Sequence, residues 1–152
     1  MTFQILNTKT EQELLAEALD ARKPTALQEV LSKLSNAEEI VAGYTQRTQG
    51  EIDSWTEKVN AARAFKSNTA TPEQIEILQT EANVTGESIT DLVELKIIPN
   101  SRKFVFTAAT TTGLRRVYKD NINNATSFEE IDTHLSDLDT DIENMLIQVQ
   151  GM

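Results

Sequence analysis

The sequence predicts an all-α fold, an elongated antiparallel helical bundle with long coiled-coil-like helices. Three observations predict it. Ser or Thr followed three residues later by Glu, Gln or Asp, the signature of a helix start, stands at Thr10, Thr25, Ser35, Thr71, Ser88 and Thr126. From Phe128 to Val149, apolar residues follow at alternating steps of three and four, the a/d seam of a coiled coil. Only 5 glycines and 3 prolines, with 5% aromatics, occur in 152 residues, which suits helices better than a β-sandwich.

Thr10-Glu11-Gln12-Glu13 reads as a capping box, in which Thr10 caps the Glu13 amide and Glu13 reaches back. Leu14, Leu15, Ala18 and Leu19 follow as an apolar stripe, and Pro24 is expected to stop that helix. Thr25 with Gln28 offers a second start, ahead of Leu27, Val30, Leu31 and Leu34, and Ser35 with Glu38 a third. From Ala37 one long helix is expected, its stripe running through Val41, Tyr44, Thr48, Ile52, Trp55, Val59, Ala62 and Phe65. Gly43 and Gly50 each weaken it by about 1 kcal/mol, and either could mark a kink or a break, with Gly50 the expected one.

Thr71-Pro72-Glu73-Gln74 is the strongest local signal: a capping threonine, proline at the first helical position and glutamine at the box position. Gly86 is the expected stop, and Ser88 with Asp91 opens a short helix ending at Pro99. The β-branched run from Lys103 to Thr112 fits either a strand or a helix. A lone strand would have no partner, which favours the helix. The last helix is expected to start near Thr126, boxed with Glu129. These elements group as 1–36, 37–98 and 99–152, read together as one continuous bundle.

Function is less legible. The absence of cysteine excludes disulfides, thiolate zinc sites and a thiol nucleophile. A net charge of −10 argues against nucleic acid as the main partner. The longest apolar run is too short and too polar to span a bilayer, and MTFQILNTKTEQE lacks the basic head and apolar core of a signal peptide. A cytoplasmic chain is therefore expected. Asp137, Asp139 and Asp141 mimic the opening of a calcium loop. Ile142 then stands where glycine is needed and Gln148 where the closing glutamate is needed, while Leu138 and Ile142 continue the seam. His134 is the single histidine, so no second imidazole can join it at a metal. No Ser-His-Asp set, HExxH motif or glycine-rich phosphate loop occurs, and neither enzymatic activity nor a cofactor is expected.

Arg102, Lys103, Arg115, Arg116 and Lys119 form a block of five cations with no acid between Ser101 and Lys119, followed from Asp120 to Glu143 by eight acids and no lysine or arginine. The reading preferred over a nucleic-acid patch is a pair of helices folded back on each other, with Arg115 and Arg116 facing the acidic flank. Trp55 is expected as a core or interface anchor. Phe128, Ile131, Leu135, Leu138, Ile142 and Met145 are expected to line a seam filled by a partner helix, from this chain or another copy, which makes a homo-oligomer an expectation.

One resemblance adds to this. An aromatic (Trp55) before the alanine-rich AARAF of Ala61 to Phe65, the helix-opening Pro72, the small turn TGES of Thr85 to Ser88 and GLRRVYKDNINNATSFEEI from Gly113 to Ile131 lie between Ile52 and Leu135. This stretch resembles small helical proteins encoded among the tail and tail-fibre genes of tailed bacteriophages and prophages. The front third of the chain lies outside it, and Pro99 falls where that pattern would be continuous helix. The resemblance implies a non-enzymatic structural or assembly role, a tail or tail-fibre component as protein partner and association with a virion. It carries over no catalytic residue. The alternative is a bacterial cytoplasmic coiled-coil adaptor or regulator unrelated to phage.

Overall fold

A computed structural model describes residues 8–43 and 46–152. Tyr44, expected on the same stripe as Trp55, lies outside the described residues. The order is α1 (Glu11–Ala42), α2 (Gln49–Lys66), α3 (Pro72–Thr85), a single turn α4 (Ile89–Asp91), a π-helical stretch Leu92–Ile97, α5 (Ile98–Asn124) and α6 (Phe128–Gln150). The fold is all-α, and among the described residues there is no strand, so Lys103 to Thr112 is helix.

The first helix corrects the reading of three short ones. It runs unbroken for 32 residues, about 48 Å. Its Thr10–Glu13 box forms as expected, with Glu13 Oε2 taking the Thr10 N–H at 2.8 Å. Pro24 does not stop it, because the proline and Asp20, whose carbonyl loses its donor, both lie on the exposed side. Water can serve that carbonyl. The opposite side holds the helix together through buried Ala26, Val30, Leu34 and Ala37. Thr25 and Ser35 are consequently interior positions rather than caps.

The long helix expected from Ala37 to Phe65 is two helices, and the break comes earlier than Gly50. Gly43 takes the left-handed conformation (φ 63°) and donates to Glu39 O at 2.9 Å, closing α1. Thr48 and Glu51 then form a capping box for α2, which leaves Gly50 inside its first turn. The boxes at Thr71–Gln74 and the cap of Ser88 on Asp91 form as read, and Gly86 (φ 76°) closes α3. At α6 the cap is one residue later than expected. Ser127 accepts the Glu130 N–H at 3.1 Å, and Glu130 turns back to accept the Thr126 N–H at 2.7 Å.

Pro99 does not end a helix either. The Ile98 N–H donates to Val93 O, five residues back, so the ladder has already changed step where proline has no hydrogen to give. The result is one helical rod from Ile89 to Asn124. Its front end joins a core of Val59, Ala61 and Ala62 from α2, Leu78 and Ala82 from α3, and Leu92, Val93 and Ile97 from the π stretch. Its rear end joins a second core of Ala26, Val30 and Leu34 from α1, Tyr118 and Ile122, and Ile131, Leu135 and Leu138 from α6. Leu95, within the π stretch, is 66% exposed.

The rear core is a three-helix bundle. Arg22 meets Asp132 and Lys33 meets Asp139, so α1 and α6 run parallel. Lys23 reaches Asn123 O, and Glu38 accepts from Thr111, so α5 runs antiparallel to α1. Between the two cores, α5 buries Ser101, Thr107 and Thr111 in place of large apolar side chains. Each is satisfied: Arg63 donates to Ser101 Oγ at 3.2 Å, Thr107 donates to Lys103 O at 2.8 Å, and Thr111 donates to Glu38.

Pro24→Ala should restore a ladder hydrogen bond on an exposed face without touching the core. The expected gain is on the order of 1–3 kcal/mol in urea unfolding. A loss of stability would mean that the proline is required by α1.

Candidate protein-binding surface

The heptad assigns roles along α6. With Phe128, Leu135, Ile142 and Val149 at a and Ile131, Leu138 and Met145 at d, Asp132 and Asp139 fall at e, and His134 and Asp141 at g. Ile131, Leu135, Leu138, Met145 and Val149 are buried, and Ile142 is half-buried against the rear core. The seam is therefore filled by α1 and α5 of the same chain. Phe128, at its start, is 42% exposed and borders a hollow of about 360 Å³ with Leu15, Ala16 and Leu19.

The e edge faces α1: Lys33 Nζ lies 2.5 Å from Asp139 Oδ1, and Arg22 4.0 Å from Asp132. The g edge faces α5, where the Tyr118 hydroxyl donates to Asp141 Oδ2 at 2.5 Å. Burial, then this hydrogen bond, pushes the Tyr118 phenol well above its ordinary value of 10.0. Asp137 lies at c and is exposed. A continuous helix thus sends the three aspartates in different directions, and among the described residues no group of three or more His, Asp or Glu could hold a metal ion.

Arg115 and Arg116 do not meet this flank. Among the described residues neither belongs to an ion pair. Both are exposed, and Arg115 stands beside Leu31, Leu34, Ser35 and Glu38 of α1. The reason is azimuth. Tyr118, rather than either arginine, occupies the side of α5 turned to α6. Nothing in the local sequence signals Lys33 and Arg22 as the actual partners, because they lie more than a hundred residues away.

Trp55 is half-buried against the front core. Two adjoining hollows, about 620 and 280 Å³, meet around Val41, Ala42, Arg47, Glu51, Trp55 and Asn100. Leu92 and Ile97 contribute apolar floor to the larger one, and Lys58, Glu81 and Lys96 line its charged rim. Ile52 and Phe104 line the smaller. The Arg47 guanidinium lies 5.1 Å from the indole centroid and the Lys58 ammonium 5.8 Å, so two cations rest on one ring. Lys58 is also held by Glu81 at 2.7 Å. The groove draws on the end of α1, the start of α2, α3 and the π stretch.

No family model, curated protein or solved structure matches the chain. The reading of the groove rests on its own residues. It presents an aromatic with apolar neighbours, ringed by charges of both signs. No described helix is long and apolar enough to cross a membrane.

Two outcomes follow. Tyr118→Phe removes a hydroxyl that a carboxylate holds, and should cost about 1–3 kcal/mol. Because the folded-state value of this phenol is raised, its contribution is complete below pH 10.0 and is lost as pH rises above it. Unfolding curves for wild type should therefore steepen their decline in alkali, and Tyr118→Phe should show less of it. Glu130 behaves oppositely. The Thr126 backbone N–H, then its hydroxyl, holds this carboxyl below 4.5, so its contribution is present above 4.5 and is lost as pH falls through the folded-state value. The melting temperature of wild type should drop below that pH, with a smaller drop in Glu130→Gln.

Proposed function

We propose that this chain is a non-enzymatic structural or assembly protein of a tailed phage or prophage, binding a tail or tail-fibre component through its helical surface. The observation that carries the binding half of this reading is the groove around Trp55. Interface anchors are typically Trp, Tyr or Arg set in a hollow with an apolar centre and a polar rim, and Trp55 with Arg47 has that arrangement. The groove is formed where separate helices meet, which is where a protein segment finds both depth and specificity. The phage half is supported by the resemblance between Ile52 and Leu135, a span that includes Trp55.

The seam residues Ile131, Leu135, Leu138 and Met145 belong in this reading to the scaffold, since they are buried by α1 and α5. Partner binding is assigned to surfaces they leave outside. The rim charges Arg47, Glu51, Lys58 and Glu81 would steer the partner and fix its register more than they add affinity.

Affinity capture from the native host tests both halves. Wild type should retain a tail or tail-fibre component, and Trp55→Ala should lose at least about tenfold of it while keeping its helical circular dichroism, as expected for a central anchor. Capture of a host regulator instead would favour the adaptor reading. Equal capture by both forms would remove the groove from the interface.

A further inference from the structure

The outer face of α5 has a feature that the fold of one chain leaves unexplained. Gly113 sits in mid-helix, with no positive φ, and a β-carbon there would meet nothing of this chain within 4 Å. Glycine costs about 1 kcal/mol against alanine at such a place, and neither a turn nor a close approach within this chain calls for it. A close approach by something outside the chain does.

The surroundings indicate what approaches. Val105 and Val117 are each 54% exposed, and Ala109 lies exposed between Val105 and Gly113 at the same four-residue step. At the two ends of this face are Arg102 and Asp120. They are eighteen residues apart in the sequence, which is five whole turns, so they lie on one line of the helix surface. Both are exposed, and among the described residues neither is in an ion pair. Arg102 and Asp120, Val105 and Val117, and Ala109 and Gly113 are each placed symmetrically about position 111. Arg102 and Asp120, which lie on the midline of this face, come opposite one another when a second copy is turned end for end, which is the requirement for a two-fold interface.

We propose that a second copy of this chain docks antiparallel along α5. Ala109 and Gly113 make the closest approach, Val105 and the partner's Val117 flank it at one height on opposite sides of the contact line, and two reciprocal ion pairs join Arg102 to the partner's Asp120. Charge complementarity selects a second copy as the occupant, because the cation and the acid it needs are both on this face, at matching distances from its centre. The small side chains at the centre let the helices come close, and the valines exclude water around them. This surface is separate from the Trp55 groove and leaves it open, so a two-fold dimer would carry two copies of the groove.

Charge exchange read by sedimentation equilibrium over a range of concentrations tests this. Wild type should pass from monomer to dimer as concentration rises, with association weakened by salt. Arg102→Glu alone and Asp120→Arg alone should each weaken dimerisation by about tenfold, since two pairs are lost and like charges meet. The doubly exchanged chain should regain wild-type association, because both pairs reform in reverse. Gly113→Leu should be monomeric while keeping or raising its melting temperature, which separates loss of contact from loss of fold. Wild type that stays monomeric at high micromolar concentration overturns the proposal. So does a double variant no better than the single ones, or a dimer indifferent to Gly113→Leu. The Trp55→Ala variant should dimerise normally, so failure here and failure of tail-component capture are told apart.

Discussion

The rod from Ile89 to Asn124 has to serve two cores, one at each of its ends. A regular α-helix keeps one buried face along its length, advancing about 100° per residue. The π-helical stretch Leu92–Ile97 adds a residue to the turn and resets that face between the α2–α3 core and the α1–α6 core. Everything else is arranged around this reset. The large apolar side chains of the rod sit within it, as Leu92, Val93 and Ile97, and near the far end of α5, as Tyr118 and Ile122. The intervening part of α5 is filled by Ser101, Thr107 and Thr111, which hydrogen-bond back to their own helix or to Arg63 and Glu38. Pro99 stands at the end of the reset, where the ladder has a position that needs no donor.

The acidity of α6 finds its use in the same geometry. Its a and d positions are covered from two sides, by α1 and by α5, so its e and g positions become two separate borders instead of one solvated flank. Asp132 and Asp139 face cations of α1, and Asp141 takes the Tyr118 hydroxyl. The ion pairs are largely open to water and contribute little each. Their effect is to set the height of α1 against α6. The buried hydroxyl bond does the same for α5 at higher energetic stake, since an unpaired phenol or carboxylate there would be costly.

Whatever depends on a few neighbouring residues could be read in advance. The caps at Thr10, Thr71 and Ser88 and the seam of α6 are local patterns, and the structure contains them. The cap at α6 falls one residue later because Thr126 and Ser127 each have a glutamate three residues ahead, Glu129 and Glu130, and the local pattern alone does not choose between them. Pro24 misled because a proline's effect depends on which side of the helix is dry, and that is decided by helices distant in sequence. Gly43 and Gly50 differ likewise: a cap needs a positive φ, which sequence does not display. The groove at Trp55 was half legible. Trp55 could be placed on a buried stripe from the sequence. The groove's walls come from Val41, Leu92, Ile97 and Asn100, and their meeting is a property of the tertiary fold. The pairing of Arg115 and Arg116 with α6 was expected from charge alone, and azimuth overrode it.

The parallel course of α1 and α6 has a consequence in time. The core formed by α2, α3 and the π stretch is nearly contiguous along the chain and can close as soon as those segments have left the ribosome. The apolar side of α1 is in a different position. It is synthesised before α2 and α3, yet Ile131, Leu135 and Leu138 reach it only after some hundred further residues have been made. The first long helix is thus among the last to be sealed. During that interval its stripe, Val30 and Leu34 above all, has only the α5 side of that core to cover it.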